Sequence, residues 1–243
     1  MKQQTVQPRY RCILVKLSGE AFQGDNLFGI DVSRLMRISQ EIAQVSQLGV
    51  QVALVVGGGN LIRGADLCVS GIDRIAADQM GMLATVINGL ALRDALTKKH
   101  IFVSLMSAFA IPGVTETYDH MLAKERLVQG KVVILVGGTG NPLVTTDSAA
   151  ALRGIEIGAD IVVKATKVDA VFTDDPIKNP GAKRYSRLRY DEVLEKQLGV
   201  MDLTSILLCR DGGLPIRVFN MNKEGGLRRI ALGEDVGTLI DHG

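Results

Sequence analysis

Six short apolar runs recur along this 243-residue chain: CILVKL (12–17), QVALVV (51–56), IFVSLM (101–106), KVVILV (131–136), DIVVKA (160–165) and PIRVF (215–219). They are rich in valine and isoleucine, and most are continuous rather than alternating. Strands that bury both faces look like this, so the runs predict a mostly parallel sheet covered by helices on each side. Between the first two runs, Ile30, Leu35, Ile38, Ile42, Val45 and Leu48 recur at helical spacing, and Gly49 follows as a stop signal. Further helices are expected across 73–98, 118–129, 147–158, 190–198 and 202–211, which carries the β-α alternation along the whole chain. The segment KVDAVFTDDPIKNPGAKRY (167–185) interrupts it with turn residues and reads as an irregular excursion, open to forming a hairpin.

Composition narrows the function classes. With 47% apolar and 22% charged residues the chain is globular rather than disordered, and a net charge of +2 is too balanced to draw it to nucleic acid or to a membrane surface. The cysteines Cys12, Cys68 and Cys209 lack the paired spacing of a disulfide framework or a zinc site. The N-terminal MKQQTVQPRYR has no apolar signal core, and the longest nearly apolar run, Met80 to Leu92, is short for a bilayer, so a soluble cytoplasmic protein is expected. As a helix that run is apolar nearly all round; a subunit interface and plain core burial both remain open.

Lys16 poses the sharper question, because it places a cation inside the apolar edge of the first strand. In parallel α/β sheets ligands bind beyond the carboxyl ends of the strands. Here those ends lead into Ser18-Gly19, Gly57-Gly58-Gly59-Asn60, Gly137-Gly138-Thr139-Gly140-Asn141 and Thr166-Lys167. Glycine turns let backbone N–H groups approach phosphate oxygens, although glycines also simply end strands. A Gly-Lys-Ser/Thr P-loop is absent, and Ile62 stands where the dinucleotide fingerprint needs its third glycine. What remains is a set of charges near glycine loops: Lys16, Arg63, Asp78, Asp147 and Lys164. Taken singly, Lys16 fits a snorkelling strand-end lysine, Arg63 a surface cation and Asp147 a helix N-cap. Taken together after strands, they fit phosphoryl transfer, which asks a protein mainly for cations to hold the transferring oxygens and carboxylates to orient them.

The stretches KLSGEA (16–21), GGGNLIRG (57–64), DQMGMLAT (78–85), GTGNPLVTTDSAAALRGIEIGAD (138–160), KATKVDAVFTDDP (164–176) and LPIRVFNM (214–221) resemble the bacterial uridylate kinases, the UMP kinases of the amino-acid kinase fold. The resemblance runs from about Tyr10 to Leu239, and GTGNP with TTDSAA and KATKVD separates this family from carbamate, acetylglutamate and aspartate kinases. It implies a three-layer αβα sandwich in a single domain spanning 1–243, with acceptor binding on about 10–160 and ATP binding on about 161–243. It also implies transfer of the ATP γ-phosphoryl group to UMP with Mg2+. Lys16, Arg63, Asp147 and Lys164 would serve catalysis. Lys16, Leu17, Ser18, Gly19, Gly59 and Arg63 would lie along the ATP phosphates, with Thr166, Phe172 and Asp175 on the adenosine side. Gly58, Arg63 and Thr146 would hold the UMP phosphate, Asp78 its ribose, and Thr139, Gly140 and Asn141 the uracil, with Pro142, Leu143, Val144 and Thr145 completing that loop. The resemblance further implies a homo-oligomer, a hexamer, with GTP as activator near Arg93, Lys98 and Lys131 and UTP as inhibitor. The sequence singles out no protein ligand for the metal, which nucleotide phosphates and water often hold. Two rivals stay open: a related phosphotransferase acting on a carboxylate or carbamate, and a nucleotide sensor without catalysis.

Overall fold

The computed structural model describes residues 7–69, 71–174, 178–179 and 181–243. In chain order the elements are β1 (Cys12–Leu17), α1 (Glu20–Gln23), α2 (Val32–Ser46), β2 (Gln51–Val56), α3 (Gly64–Val69), α4 (Arg74–Thr97), β3 (Val103–Ser107), β4 (Glu116–Thr117) and α5 (His120–Val128). Then follow β5 (Val132–Val136), α6 (Thr146–Ile157), β6 (Ile161–Thr166), β7 (Arg187–Arg189), α7 (Tyr190–Glu195), α8 (Leu203–Asp211), β8 (Ile216–Asn220), α9 (Gly226–Ala231) and β9 (Thr238–Asp241). All six expected strands form within about two residues of their predicted bounds, and so do the starts of the expected helices. The elements that periodicity did not reveal are α1, α3, α9, β4, β7 and β9, each six residues or fewer. A segment that short completes too few repeats to leave a pattern.

One sheet runs through the molecule in the order β4-β3-β5-β2-β1-β6-β8-β9-β7. It is parallel except where β9 pairs antiparallel with β8. The continuous apolar runs are explained by two cores, one on each face. Ile13, Val15 and Leu17 join Ile38 and Ile42 of α2, Leu92 of α4 and Ile230 of α9 on one side. Leu14 joins Ala150 of α6, Val193 of α7 and Ile206 of α8 on the other. Each of these valine, leucine and isoleucine side chains, fully removed from water, contributes on the order of 1.5–3 kcal/mol relative to its exposed state. The result is the three-layer αβα arrangement that the strand pattern predicted.

By length and apolar content alone α4 could cross a bilayer. In the fold it packs against α2, β2, β3 and β5. Its outward face nonetheless leaves Ile75, Leu83 and Ile87 exposed, so core burial accounts for only part of its apolar circumference. The excursion after β6 does turn back on itself: Phe172 and Arg184 form an antiparallel bridge, flanked by bonds from Thr173 N to Lys183 O and from Tyr185 N to Val171 O.

Candidate active site

Parallel pairing puts the carboxyl ends of β1, β2, β5 and β6 on one edge. Within it, β1 and β6 pair with Lys16 directly beside Lys164. Side chains alternate along a strand, so the register that sends Val15 and Leu17 into one core sends both lysines toward the N-terminus of α6. Asp147 meets them there. Lys16 Nζ lies 2.7 Å from Asp147 Oδ1, and Lys164 Nζ donates to Oδ2 at 2.7 Å and to Val200 O at 2.6 Å. The Lys16 contact is ionic rather than an aligned hydrogen bond, because Oδ1 receives no donor in hydrogen-bonding geometry. All three side chains are largely shielded, with exposures of 8%, 13% and 16% for Lys16, Asp147 and Lys164. Burial lowers the Lys164 pKa from its ordinary value more than the adjacent Asp147 carboxylate raises it.

The N-cap reading of Asp147 does not hold. Thr145 caps α6, its hydroxyl accepting from Asp147 N and Ser148 N, and Asp147 occupies the first turn with its carboxylate turned to the lysines. Behind Thr145 stands Asp202, the N-cap of α8, which takes bonds from the Thr145 and Ser148 hydroxyls and from Ser205 N. Burial would raise the Asp202 pKa, but these bonds together hold it below its ordinary value. Sequence reasoning placed a helix at 202 without assigning Asp202 a role; its signal was an acidic residue immediately before an apolar helical stretch.

The glycine turns interlock. A Cβ on Gly19 would stand 2.3 Å from Gly59 N, so the turns after β1 and β2 can touch only because that side chain is missing. Beneath them a buried amide pair fastens the second turn. Asn88 Nδ2 of α4 donates to Gly57 O and to Asn60 Oδ1, and Asn60 Nδ2 donates back to Asn88 Oδ1. Asn88 was not singled out from the sequence, since a polar residue in an apolar helix has no visible partner until the fold supplies one.

Two clefts open on either side of this edge. One brings together Gly58, Gly59, Asp78, Gly138, Asn141, Pro142, Val144, Thr145 and Thr146. Gly140 lines an adjoining hollow with Phe109 and Pro142, while the Thr139 hydroxyl accepts from Asn141 N within the same loop. Leu143 holds a left-handed backbone, φ 67°, unusual for a branched side chain. Its N–H donates to Asp78 Oδ2 at 2.9 Å. Asp78 also receives Arg74 Nε at 2.9 and 3.0 Å, so its carboxylate both shapes the loop and faces the cleft.

The second cleft is lined by Thr166, Phe172 and the 197–200 segment, including Val200, the carbonyl partner of Lys164. Ser18 and Thr166 lie together in a hollow beside it. Leu17 contributes no side chain to either, being fully buried in the core. Asp175 lies outside the described residues. The lysine-aspartate cluster therefore sits at the junction: Asp147 follows Thr146 of the first cleft, and Lys164 bonds Val200 of the second.

At the rim Arg63 Nη2 meets Glu20 Oε1 at 2.6 Å and Arg63 Nε donates to Gly59 O at 3.3 Å. Arg93, Lys98 and Lys131 lie elsewhere, toward the amino ends of the strands. Arg93 donates to Val114 O, Lys98 pairs with Asp94, and Lys131 adds positive charge near Glu116.

The amino acid kinase family model matches residues 11–220. The uridylate kinase of Alcanivorax borkumensis is 62% identical over 96% of this chain and 93% of its own length, and that of Aeromonas hydrophila is 60% identical over 97% and 96%. Among solved structures, the UMP kinase from Bacillus anthracis superposes with a TM-score of 0.93 at 43% identity, covering 96% of each chain. The UMP kinase from Ureaplasma parvum superposes at 0.90 and 32% identity, over 96% of this chain and 99% of its own. The chain belongs to the amino acid kinase family and, within it, to the uridylate kinases.

Proposed function

We propose that this protein is a UMP kinase, transferring the γ-phosphoryl group of ATP to UMP to give UDP and ADP. The observation that carries the reading is the Lys16–Asp147–Lys164 cluster at the junction of two clefts. One carboxylate shared by two ammonium groups leaves a net positive site, shielded from water, where a transferring phosphoryl group would pass. Phosphoryl transfer needs little else from side chains.

In this mechanism UMP occupies the cleft holding Asp78, with its ribose hydroxyls donating to that carboxylate and its phosphate near Gly58, Arg63 and Thr146. Thr139, Gly140 and Asn141 lie toward the base. ATP lies along Ser18, Gly19 and Gly59, with its adenosine toward Thr166 and Phe172. An oxygen of the ionised UMP phosphate attacks the γ-phosphorus as the bond to the β-γ bridging oxygen breaks. Lys16 and Lys164 neutralise the charge on the γ-phosphoryl oxygens, and Asp147 holds both ammonium groups at that point. The acceptor is already ionised, so no general base is required. The described residues contain no group of three or more His, Cys, Asp or Glu arranged to hold a metal. Magnesium would arrive with ATP and keep phosphate and water ligands.

The same reading assigns acceptor binding to about 10–160 and ATP binding to about 161–243, and takes the protein as a cytoplasmic hexamer. The exposed Ile75, Leu83 and Ile87 of α4 support an interface between copies. GTP activation near Arg93, Lys98 and Lys131 and inhibition by UTP belong to this reading as well. The deciding experiment incubates the protein with Mg-ATP and a panel of nucleoside monophosphates and small acids, following ADP release. Turnover with UMP above all others is expected, and no turnover with UMP would overturn the assignment.

A further inference from the structure

Three charged side chains at the mouth of the site form a second cluster. Glu20 stands in the first turn of α1, directly after the Ser18-Gly19 turn. Its Oε1 lies 2.6 Å from Arg63 Nη2 and its Oε2 lies 3.6 Å from Lys167 Nζ. Arg63 reaches across from the far side of the Gly57–Asn60 turn, and Lys167 follows the last residue of β6. One carboxylate thus bridges two cations, and the three residues follow three different strands, β1, β2 and β6. The exposures are 53% for Arg63, 42% for Glu20 and 61% for Lys167, so none of the three is locked by packing.

We infer that Glu20 is a positioning residue that occupies Arg63 and Lys167 in the absence of nucleotide and yields them to phosphate when it arrives. A carboxylate and a phosphoryl oxygen are alternative anionic partners for the same guanidinium and ammonium groups. Glu20 sits one residue beyond Gly19, so it stands at the entrance through which a polyphosphate would lie along the interlocked glycine turns. Without Glu20, two adjacent cations would face water at the rim and attract any small polyanion. With it, the net positive charge of the rim is halved and both cations have a partner until a ligand supplies enough phosphate oxygens to displace the carboxylate. Binding then becomes an exchange of partners, and a short anion such as inorganic phosphate gains less from the exchange than a chain of three phosphates. The inference rests on the proposed phosphate path, though its test does not depend on catalysis.

The test is calorimetric titration of tripolyphosphate, without and with Mg2+, into wild type and Glu20→Gln at low ionic strength. Removing one competing carboxylate from solvent-exposed pairs should tighten tripolyphosphate about two- to fivefold, and raised salt should shrink the difference. Unchanged or weaker binding by Glu20→Gln overturns the proposal. Loss of the magnesium complex alone overturns it too, because that marks Glu20 as a metal ligand. An Arg63→Met/Lys167→Met background separates exchange from a general field effect: there the Glu20→Gln gain should vanish, and a gain of the same size refutes the latch. A tightened tripolyphosphate complex in a protein that does not turn over UMP would leave the latch standing and remove the UMP kinase reading instead.

Discussion

The two cation-carboxylate clusters share a composition and differ in almost everything else. Lys16, Asp147 and Lys164 project from two central strands and a helix terminus into shielded surroundings, with contacts of 2.6–2.7 Å. Arg63 and Lys167 project from loops, and Glu20 from the first turn of α1, into water. Burial makes a charge expensive to leave unpaired, so the inner cluster is tightly interdependent. Exposure makes pairing worth little, so the outer cluster can exchange partners with small loss. The same combination of charges therefore serves as a rigid template in one place and as a displaceable cover in the other.

Asp147→Ala is the harshest way to break this contrast. It leaves two adjacent buried ammonium groups without their carboxylate, and should cost about 3–5 kcal/mol of stability in denaturant titrations. UMP kinase activity should fall with it by at least as much as on loss of one preorganised electrostatic contact, on the order of 10²- to 10³-fold in kcat. A stability change as small as that of a surface substitution would mean the inner cluster is no more interdependent than the outer one. Lys16→Ala should lower kcat by on the order of 10²- to 10³-fold while leaving the protein folded; near-normal kcat would remove its role.

The inner cluster should also show in the pH profile. Because burial lowers the Lys164 pKa, activity should decline on the alkaline side below the ordinary lysine range, as the ammonium loses its proton. The stability contribution runs the other way. Between the folded and unfolded pKa values the unfolded chain binds more protons, so stability from this group rises with pH over that window. Lys164→Arg keeps its charge throughout, and the alkaline limb of kcat should move upward; an unmoved limb would assign it to another group.

Asp78→Ala sits between the extremes. Its carboxylate faces the cleft proposed for UMP while holding Leu143 N and Arg74, and its loss should raise the UMP KM by about tenfold, the loss of one or two hydrogen bonds to a charged group. The ATP KM should move less. Equal changes would argue that Asp78 shapes the loop without touching the ribose. The smallest effect belongs to Glu20→Gln, with its about two- to fivefold gain in tripolyphosphate affinity. A change as large as that of Lys16→Ala would erase the distinction between the clusters.

Much of the architecture was legible in the chain. Continuous runs such as VVILV can be buried on both faces only in a covered sheet, and the periodic apolar residues of α2 have one way to face it. Lys16 at the ligand edge followed from its position just before a glycine turn. The resemblance to uridylate kinases put Lys164 in the same catalytic set as Lys16; in the fold each lysine meets one oxygen of Asp147, and Lys164 alone also donates to Val200 O. Glu20 lay inside a quoted motif with no role assigned. Nothing local distinguishes it from a helix-starting acid.

What the sequence by itself determined was the six longer strands, their alternation with helices, and which loops follow their carboxyl ends. Those depend on period, turn chemistry and burial within short windows. The tertiary structure decided which charges meet. Lys16 and Lys164 face the same carboxylate because β1 and β6 pair in one parallel register, and a slip of one residue would send one lysine into the opposite core. Arg63 reaches Glu20 where the missing Gly19 side chain lets the turns after β1 and β2 touch, and Lys167 reaches it from the end of β6, the strand paired beside β1. Register and close approach are relations between segments far apart in the chain, and packing of the two cores against the sheet is what sets them.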